Sequence, residues 1–128
     1  MSSIFLDTIK GKSCSRPPVW FMRQAGRILP SYRKLKESHH FYDMMKDTEL
    51  ATQVTLLPIS DLSVDSAILF SDILVIPDAL GLELIFTNNG PKFVNALNGK
   101  NNVVLDYKPY KLNYIYNTVS YTHLRAHE

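Results

Sequence analysis

The sequence of 128 residues lacks the features that would mark it as disulfide-bonded, membrane-spanning or strongly charged. Cys14 is the only cysteine, so no disulfide forms within the chain, and its serine neighbours offer no metal-ligand spacing. No apolar run approaches the roughly 18 residues of a membrane helix, and Asp7 and Lys10 interrupt any secretion signal. A net charge of +2 without a basic run gives no indication of nucleic-acid binding. We therefore expect a cytoplasmic protein whose partners are neither membranes nor nucleic acids.

Apolar residues at helical spacing predict several helices. A short opening helix capped by Ser2 or Ser3 ends at Gly11, and a second helix begins at Pro30, since proline suits the first helical position. Asp47 is a good N-cap for a helix over Thr48–Leu62, which Pro58 should kink. A further amphipathic helix begins at about residue 112. The composition, 45% hydrophobic and 20% charged, suits about one globular domain.

Two short apolar runs predict buried strands. Residues 19–22 follow a pair of prolines, and residues 64–70 end in four consecutive apolar residues, the pattern of a strand covered on both faces. Strand, loop, helix and strand in this order indicate an α/β fold with parallel strands, whose sites gather at the carboxyl ends of the strands. Residues 82–87 and 92–94 predict a surface hairpin across residues 88–90.

Charged side chains follow both predicted buried strands. Arg23 and Arg27 flank Gly26 in a loop, and each guanidinium could grip a carboxylate or phosphate in a bidentate way. The alternative is that they cap a helix or pair with surface carboxylates. Asp72 follows the second strand, where it could either serve in a site or cap the next turn.

Other candidate residues have weaker support. His39 and His40 lie together in a polar stretch without a third ligand, which favours a surface pair over a metal site. His123 and His127 have the i, i+4 spacing of a helical metal pair, but they belong to an atypical ending. We expect the aromatic and thioether side chains of residues 20–22 to form core and pocket wall.

The arginine loop belongs to a longer motif. Residues 18–27 read PVWFMRQAGR and residues 68–75 read ILFSDILV. Both segments, in this order and separation, resemble the characteristic blocks of the uroporphyrinogen decarboxylase family. Residues 49–58 and the GPKF sequence at 90–93 resemble further family segments, so the resemblance covers about residues 3–118. A ten-residue motif of mixed chemistry is far more specific than a lone glycine pattern.

The resemblance implies a fold, an activity and a site. The fold is the amino-terminal part of a (β/α)8 TIM barrel, and the activity is a carboxy-lyase of haem and chlorophyll synthesis. This enzyme converts uroporphyrinogen III to coproporphyrinogen III by removing carbon dioxide from acetate side chains. The family acts in the cytoplasm without metal or cofactor, usually as a homodimer. The residues carried over by the motif are Arg23, Gln24, Ala25, Gly26, Arg27 and Asp72.

The same resemblance implies a role for each of these residues. Arg23 and Arg27 bind substrate carboxylates and belong to the catalytic set, while residues 24–26 shape and complete the binding loop. Asp72 faces the pyrrole nitrogens at the centre of the substrate and is both a catalytic and a substrate-binding residue. A carboxylate there would stabilise positive charge that develops on the ring. We rank positioning above proton donation for the arginines, because the guanidinium pKa is very high.

The chain departs from the family in several places. A barrel of this type needs about 250 residues, so most strands are missing, as are a Tyr, a Ser or Thr and a His that complete the family pocket. We therefore expect a truncated barrel that is inactive by itself. Ser63 stands where the family often has glycine at a helix end. Residues 119–128, VSYTHLRAHE, resemble a translated sequencing adapter, so we assign residues 1–118 to the barrel domain and the remainder to a non-native tail.

Three other interpretations stay open at this point. The chain could belong to a related methyl-transferring barrel with a zinc site and a corrinoid or thiol partner, although the arginine loop speaks against it. It could be an anion-binding or interaction module. It could also be a truncated product without function.

The tail hypothesis predicts that residues 119–128 have no counterpart in the source genome. Sequencing the genomic locus tests this directly. A reading frame that encodes these ten residues and then a stop codon would show that the tail is natural.

Overall fold

The computed structural model describes residues 4–87, 90–97, 99 and 105–125. In this part of the chain, α-helices of 5 to 15 residues precede a small antiparallel sheet, and a helix of 13 residues follows it. The α-helices are α1 Ile4–Ile9, α2 Pro30–Ser38, α3 Phe41–Lys46, α4 Thr48–Leu62, α5 Val75–Ala79 and α6 Asn113–Arg125; the strands are β1 Leu84–Thr87 and β2 Gly90–Phe93. Two 3-10 turns cover Gly26–Ile28 and Pro109–Leu112.

Helix α4 is the central helix of the fold, and its predicted limits are confirmed. Asp47 caps it, because its Oδ1 accepts a hydrogen bond of 2.9 Å from the Leu50 N–H. Pro58 lies inside the helix, where it cannot donate the usual backbone bond. The helix ends at Ser63, which adopts a left-handed conformation with φ 53° and donates its N–H to the Ile59 carbonyl at 3.1 Å.

The other predicted helices are also present. Pro30 occupies the first position of α2, and α1 ends shortly before Gly11. The serines expected to cap α1 lie outside the described residues. The helix expected from residue 112 begins at Asn113, after a 3-10 turn, and reaches Arg125. This helix includes part of residues 119–128, whose non-native origin stays a prediction. None of the helices in the described ranges has the length and apolarity to span a membrane.

A small core lies between α2, α3 and α4. Its buried members are Leu29, Tyr32, Met44, Val54 and Leu57, with Leu35, Leu50 and Phe70 packed against them. Helix α6 covers α4 from another side: Thr118 is buried there, and the Thr52 and Thr122 hydroxyls lie 3.2 Å apart. Burial of these apolar side chains, at roughly 25 cal/mol per Å², is the main stabilising contribution of the helical layer.

The predicted hairpin is confirmed. Strands β1 and β2 are antiparallel, with Leu84 opposite Phe93 and Thr87 opposite Gly90. The asparagines expected in its turn lie outside the described residues. The Val94 N–H extends the pairing by one bond to the Glu83 carbonyl at 2.9 Å.

The two predicted parallel strands are wrong as secondary structure. Residues 19–22 and 64–70 have no regular secondary structure; the Asp65 N–H lies 2.9 Å from the Val19 carbonyl, but no ladder joins the two segments. The only sheet within the described residues is the hairpin. A parallel strand needs hydrogen-bonded neighbours in its sheet and helices on both faces. Among the described residues no ladder forms beside these segments, although Phe70 packs against the helical core.

The same segments expose apolar side chains that were expected to be buried. Trp20 and Phe21 are exposed, and Met22 has 85% of its surface in solvent. Ile68 is 69% exposed, and Ile73, just beyond the second segment, is 90% exposed. The expectation that residues 20–22 form core and pocket wall is therefore wrong for this structure, because no described element packs over them. We refer to these exposed apolar side chains together as the exposed apolar face; large apolar surfaces of this kind favour association with another surface.

Ser63→Gly should stabilise the fold. A side chain in the left-handed region costs about 1 kcal/mol that glycine avoids, offset in part by the greater backbone entropy of glycine. We expect Ser63→Gly to raise the melting temperature, measured on the longest version of the protein that can be purified in soluble form. The matched control is Ser60→Gly in the same helix, which should lower the melting temperature. Equal effects of the two substitutions would contradict the left-handed helix end.

The exposed apolar face should make the isolated 128-residue chain poorly soluble. Replacing Ile73 with lysine removes no buried contact and adds a charge, so it should raise the concentration at which the chain aggregates. Static light scattering over a concentration series measures this. A wild-type chain that stays monomeric at high concentration would contradict the expectation.

Candidate functional site

The arginine loop, residues 23–27, begins in a tight turn and ends in a 3-10 turn. The Gln24 N–H donates to the Phe21 carbonyl at 3.1 Å and closes the first turn. Gly26 opens the second turn with φ 76°, in the left-handed region. A Cβ atom on Gly26 would meet no atom within 4 Å, so the backbone conformation and not crowding favours glycine there.

Both arginines of the loop present their guanidinium groups to solvent. Within the described ranges, neither Arg23 nor Arg27 has an ion-pair partner, so the alternative of surface pairing with a carboxylate is not observed there. The Arg33 guanidinium donates to the carbonyls of Arg27 and Ile28 at 3.0 and 3.3 Å. Arg33 therefore stabilises the end of the loop and leaves the Arg27 side chain available for an anion.

The Asp72 segment, residues 64–72, runs beside the entry to the arginine loop. The Asp65 carboxylate accepts two bonds from the Arg16 guanidinium, at 2.6 and 2.9 Å, and one from the Val19 N–H at 2.6 Å. The hydrogen bond from Arg16, followed by that from Val19, lowers the pKa of Asp65 below its ordinary value. A lowered pKa means that this contact persists at neutral pH and is lost only in acid.

A buried threonine anchors the other end of the Asp72 segment. The Thr55 hydroxyl donates to the Ala51 carbonyl at 2.7 Å within α4 and accepts a bond of 2.9 Å from the Phe70 N–H. Phe70 lies two residues before Asp72, so this contact sets the position of Asp72 relative to the helical layer. The sequence gives little indication of this role for Thr55, because the hydroxyl of a threonine inside a helix usually bonds only to a carbonyl of the preceding helical turn.

Of the two roles left open for Asp72, the capping of the next turn is observed. Its Oδ1 accepts a bond of 2.8 Å from the Leu74 N–H, which stabilises the turn before α5. Among the described residues, its Oδ2 has no hydrogen-bond partner, and the residue is only partly buried. One oxygen therefore orients the carboxylate, and the other can accept a bond from a ligand.

An open cleft of about 870 Å³ brings the arginine loop and Asp72 together. It lies between the loop, α2, the Asp72 segment and the hairpin. Its lining residues are Ala25, Gly26, Arg27, Tyr32, Lys36, Phe41, Phe70, Asp72, Phe86, Thr87, Gly90 and Pro91. The cleft therefore has two cations, one carboxylate and several aromatic walls.

Aromatic contacts shape the cleft wall. Phe70 packs edge-on against Tyr32 at 6.1 Å and against Phe41 at 5.4 Å between ring centroids. Burial raises the pKa of Tyr32, and the positive charge of Arg27 offsets part of that rise. Such a cleft suits a ligand with an apolar body and acidic groups at its rim.

The motif residues do not all reach the cleft. Ala25, Gly26, Arg27 and Asp72 line it, as the sequence predicted that they would share a site. Arg23 is exposed and lies outside the lining, while Gln24 is 4% exposed with its amide bonded inside the protein.

Sequence reasoning missed several lining residues on α2 and the hairpin. Tyr32 and Lys36 lie four residues apart on α2, so helical spacing places them on one face of this helix, the face that borders the cleft. Phe70 precedes Asp72 by two residues, which puts both on one side of an extended segment. Phe86 comes from the hairpin, and no local pattern indicates which cleft a hairpin will border.

The described residues contain no group of three or more His, Cys, Asp or Glu side chains that could hold a metal ion. His39 is partly buried at the end of α2, and His40 is exposed. The side chains of the second histidine pair, at 123 and 127, lie outside the described residues.

Comparison with known proteins decides the family. A family model described as uroporphyrinogen decarboxylase (URO-D) matches residues 2–127. The chain belongs to the uroporphyrinogen decarboxylase family. The uroporphyrinogen decarboxylase of Sulfurovum sp. (strain NBC37-1) is 45% identical over 125 residues, covering 93% of this chain and 36% of the relative. That of Legionella pneumophila (strain Lens) is 50% identical over 97 residues, covering 74% of this chain and 28% of the relative.

A third relative shows the same relation between the lengths. The uroporphyrinogen decarboxylase of Christiangramia forsetii (strain DSM 17595 / CGMCC 1.15422 / KT0803) is 51% identical over 83 residues, covering 65% of this chain and 24% of the relative. The chain thus spans between 24% and 36% of the length of these curated family members.

Proposed function

We propose that this chain contributes the arginine loop and Asp72 to a uroporphyrinogen decarboxylase, which converts uroporphyrinogen III to coproporphyrinogen III in tetrapyrrole synthesis. The observation that carries the proposal is the cleft in which Arg27 and Asp72 share aromatic walls. Family membership supplies the substrate class. We refer below to the product of the complete reading frame, extended at its 3′ end, as the complete protein.

The chemistry of the cleft suits this substrate. A tetrapyrrole has an apolar body, carboxylates around its rim and pyrrole N–H donors at its centre. Arg27 offers a planar guanidinium that can hold a carboxylate with two hydrogen bonds. The Asp72 Oδ2 can accept hydrogen bonds from the pyrrole N–H groups. The exposed Arg23, at the tip of the preceding turn, would bind a second carboxylate nearer the rim.

The proposed reaction breaks the bond between an acetate methylene and its carboxyl carbon. The electron pair of that bond passes into a pyrrole ring protonated on a ring carbon, and carbon dioxide leaves. A proton then adds to the methylene carbon to form a methyl group, and the ring carbon loses its proton. The pyrrole itself accepts the electrons, so the proposal includes no metal or organic cofactor.

Asp72 would act by electrostatic stabilisation. Positive charge develops on the pyrrole when its ring carbon is protonated, and a fixed carboxylate beside the N–H groups stabilises that charge. The Leu74 N–H holds one oxygen of Asp72 in place before the substrate binds. The arginines would position the acetates through bidentate hydrogen bonds.

The exposed apolar face also has a place in this proposal. In a complete (β/α)8 barrel, residues 19–22 and 64–70 would be neighbouring parallel strands covered by the remaining elements. This would bury side chains such as Met22 and Ile68, which are exposed here. Residues 1–118 would form the amino-terminal part of that barrel, and the complete protein would be a cytoplasmic homodimer. The isolated chain would then be inactive, because the rest of the pocket comes from other segments.

The complete protein should convert uroporphyrinogen to coproporphyrinogen, and Asp72→Asn should lower kcat by about a hundredfold to a thousandfold. The asparagine keeps an oxygen for the Leu74 N–H and removes the charge. Arg27→Ala should raise KM by about ten- to a hundredfold, since it removes hydrogen bonds to a charged group. Chromatographic quantification of the products measures both effects.

The matched control is Asp43→Asn on α3, an exposed aspartate outside the cleft, which should leave both constants unchanged. A complete wild-type protein without decarboxylase activity would overturn the proposed function. Normal kinetics of Asp72→Asn and Arg27→Ala in an active protein would overturn the assignment of the site.

A further inference from the structure

Gln24 makes three hydrogen bonds at the start of the arginine loop. Its N–H donates to the Phe21 carbonyl at 3.1 Å, and its side-chain Oε1 accepts from the Phe21 N–H at 2.9 Å. These reciprocal bonds close the turn whose tip is Arg23. Its Nε2 donates to the Ser66 carbonyl at 2.6 Å, across 42 residues of sequence. One side chain therefore joins the arginine loop to the Asp72 segment.

The environment of Gln24 makes this connection difficult to replace. The residue is 4% exposed, so its side-chain amide is shielded from water, and both of its side-chain bonds are partly buried. A buried backbone donor or acceptor that loses its partner carries the full cost of its desolvation. The amide is also the only neutral side-chain group that offers an acceptor to Phe21 and a donor to Ser66 at this length.

We propose that Gln24 is a positioning residue that sets Arg23 and the arginine loop in register with Asp72, and that it does not itself bind substrate. The inference rests on the proposed function, since it concerns the two halves of the same cleft. Its chemical basis is the pair of side-chain bonds to Phe21 and Ser66. It gives Gln24 a role distinct from its neighbours Ala25 and Gly26, which line the cleft.

Gln24→Met keeps the size of the side chain and removes both side-chain bonds. In the complete protein, KM for uroporphyrinogen should rise and kcat should fall, with kcat/KM lower by about ten- to a hundredfold, because small displacements of positioned groups are costly. A side chain that only stabilises the fold would lower the fraction of active enzyme, so kcat would fall while KM kept its wild-type value.

A double mutant tests whether Gln24 acts through Asp72. If it does, Gln24→Met should lower kcat much less in an Asp72→Asn background than in the wild-type protein. Independent effects that multiply would overturn this part of the inference. Gln53→Met is the matched control, because Gln53 is an exposed glutamine on α4 outside the cleft, and both constants should stay at their wild-type values.

Hydrogen exchange in the wild-type complete protein gives a second test, which stands even where Gln24→Met does not fold. The Phe21 amide and the Gln24 side-chain amide should exchange slowly, as buried and bonded groups do. Rapid exchange of both would overturn the inference, as would Gln24→Met with wild-type KM and kcat. An inactive wild-type protein would instead overturn the proposed function. The exchange result alone would then decide whether Gln24 joins the arginine loop to the Asp72 segment.

Discussion

Hydrogen bonds between residues 19–24 and the Asp72 segment hold the two parts of the candidate site together. The Asp65 carboxylate and N–H group both pair with Val19, and the Gln24 amide reaches the Ser66 carbonyl. These contacts link parts of the chain more than forty residues apart, one leading into the arginine loop and the other to Asp72. The described residues form no β-ladder between the segments. Side-chain hydrogen bonds, together with one backbone bond, therefore connect them in place of the regular pairing of a sheet.

Local signals in the sequence predicted helices α1, α2, α4 and α6 and the hairpin, but not the short helices α3 and α5. The Asp47 cap, the proline at the start of α2 and the turn sequence at residues 88–90 each act within a few positions. The two parallel strands depended on distant neighbours instead. Residues 19–22 have the composition of a buried strand, yet burial requires elements that cover both faces. The apolar composition of these segments therefore predicted neither their lack of strand pairing nor their exposure.

The candidate site was likewise predictable only where a local sequence motif indicated it. The motif named Arg27 and Asp72, and the placement of sites at strand ends predicted that they would meet. It did not distinguish the outward Arg27 from the inward Gln24, because both belong to one loop of five residues and only the fold decides which side chain turns inside. Phe86 was not predictable at all, since its place in the cleft depends on how the hairpin packs.

The central claim is that Arg27 and Asp72 hold one tetrapyrrole between them. A crystal structure of the complete protein with coproporphyrinogen bound tests this most directly. The account predicts a product carboxylate within hydrogen-bond distance of the Arg27 guanidinium and pyrrole nitrogens about 3 Å from the Asp72 carboxylate. Product bound elsewhere, with both side chains facing solvent, would contradict it.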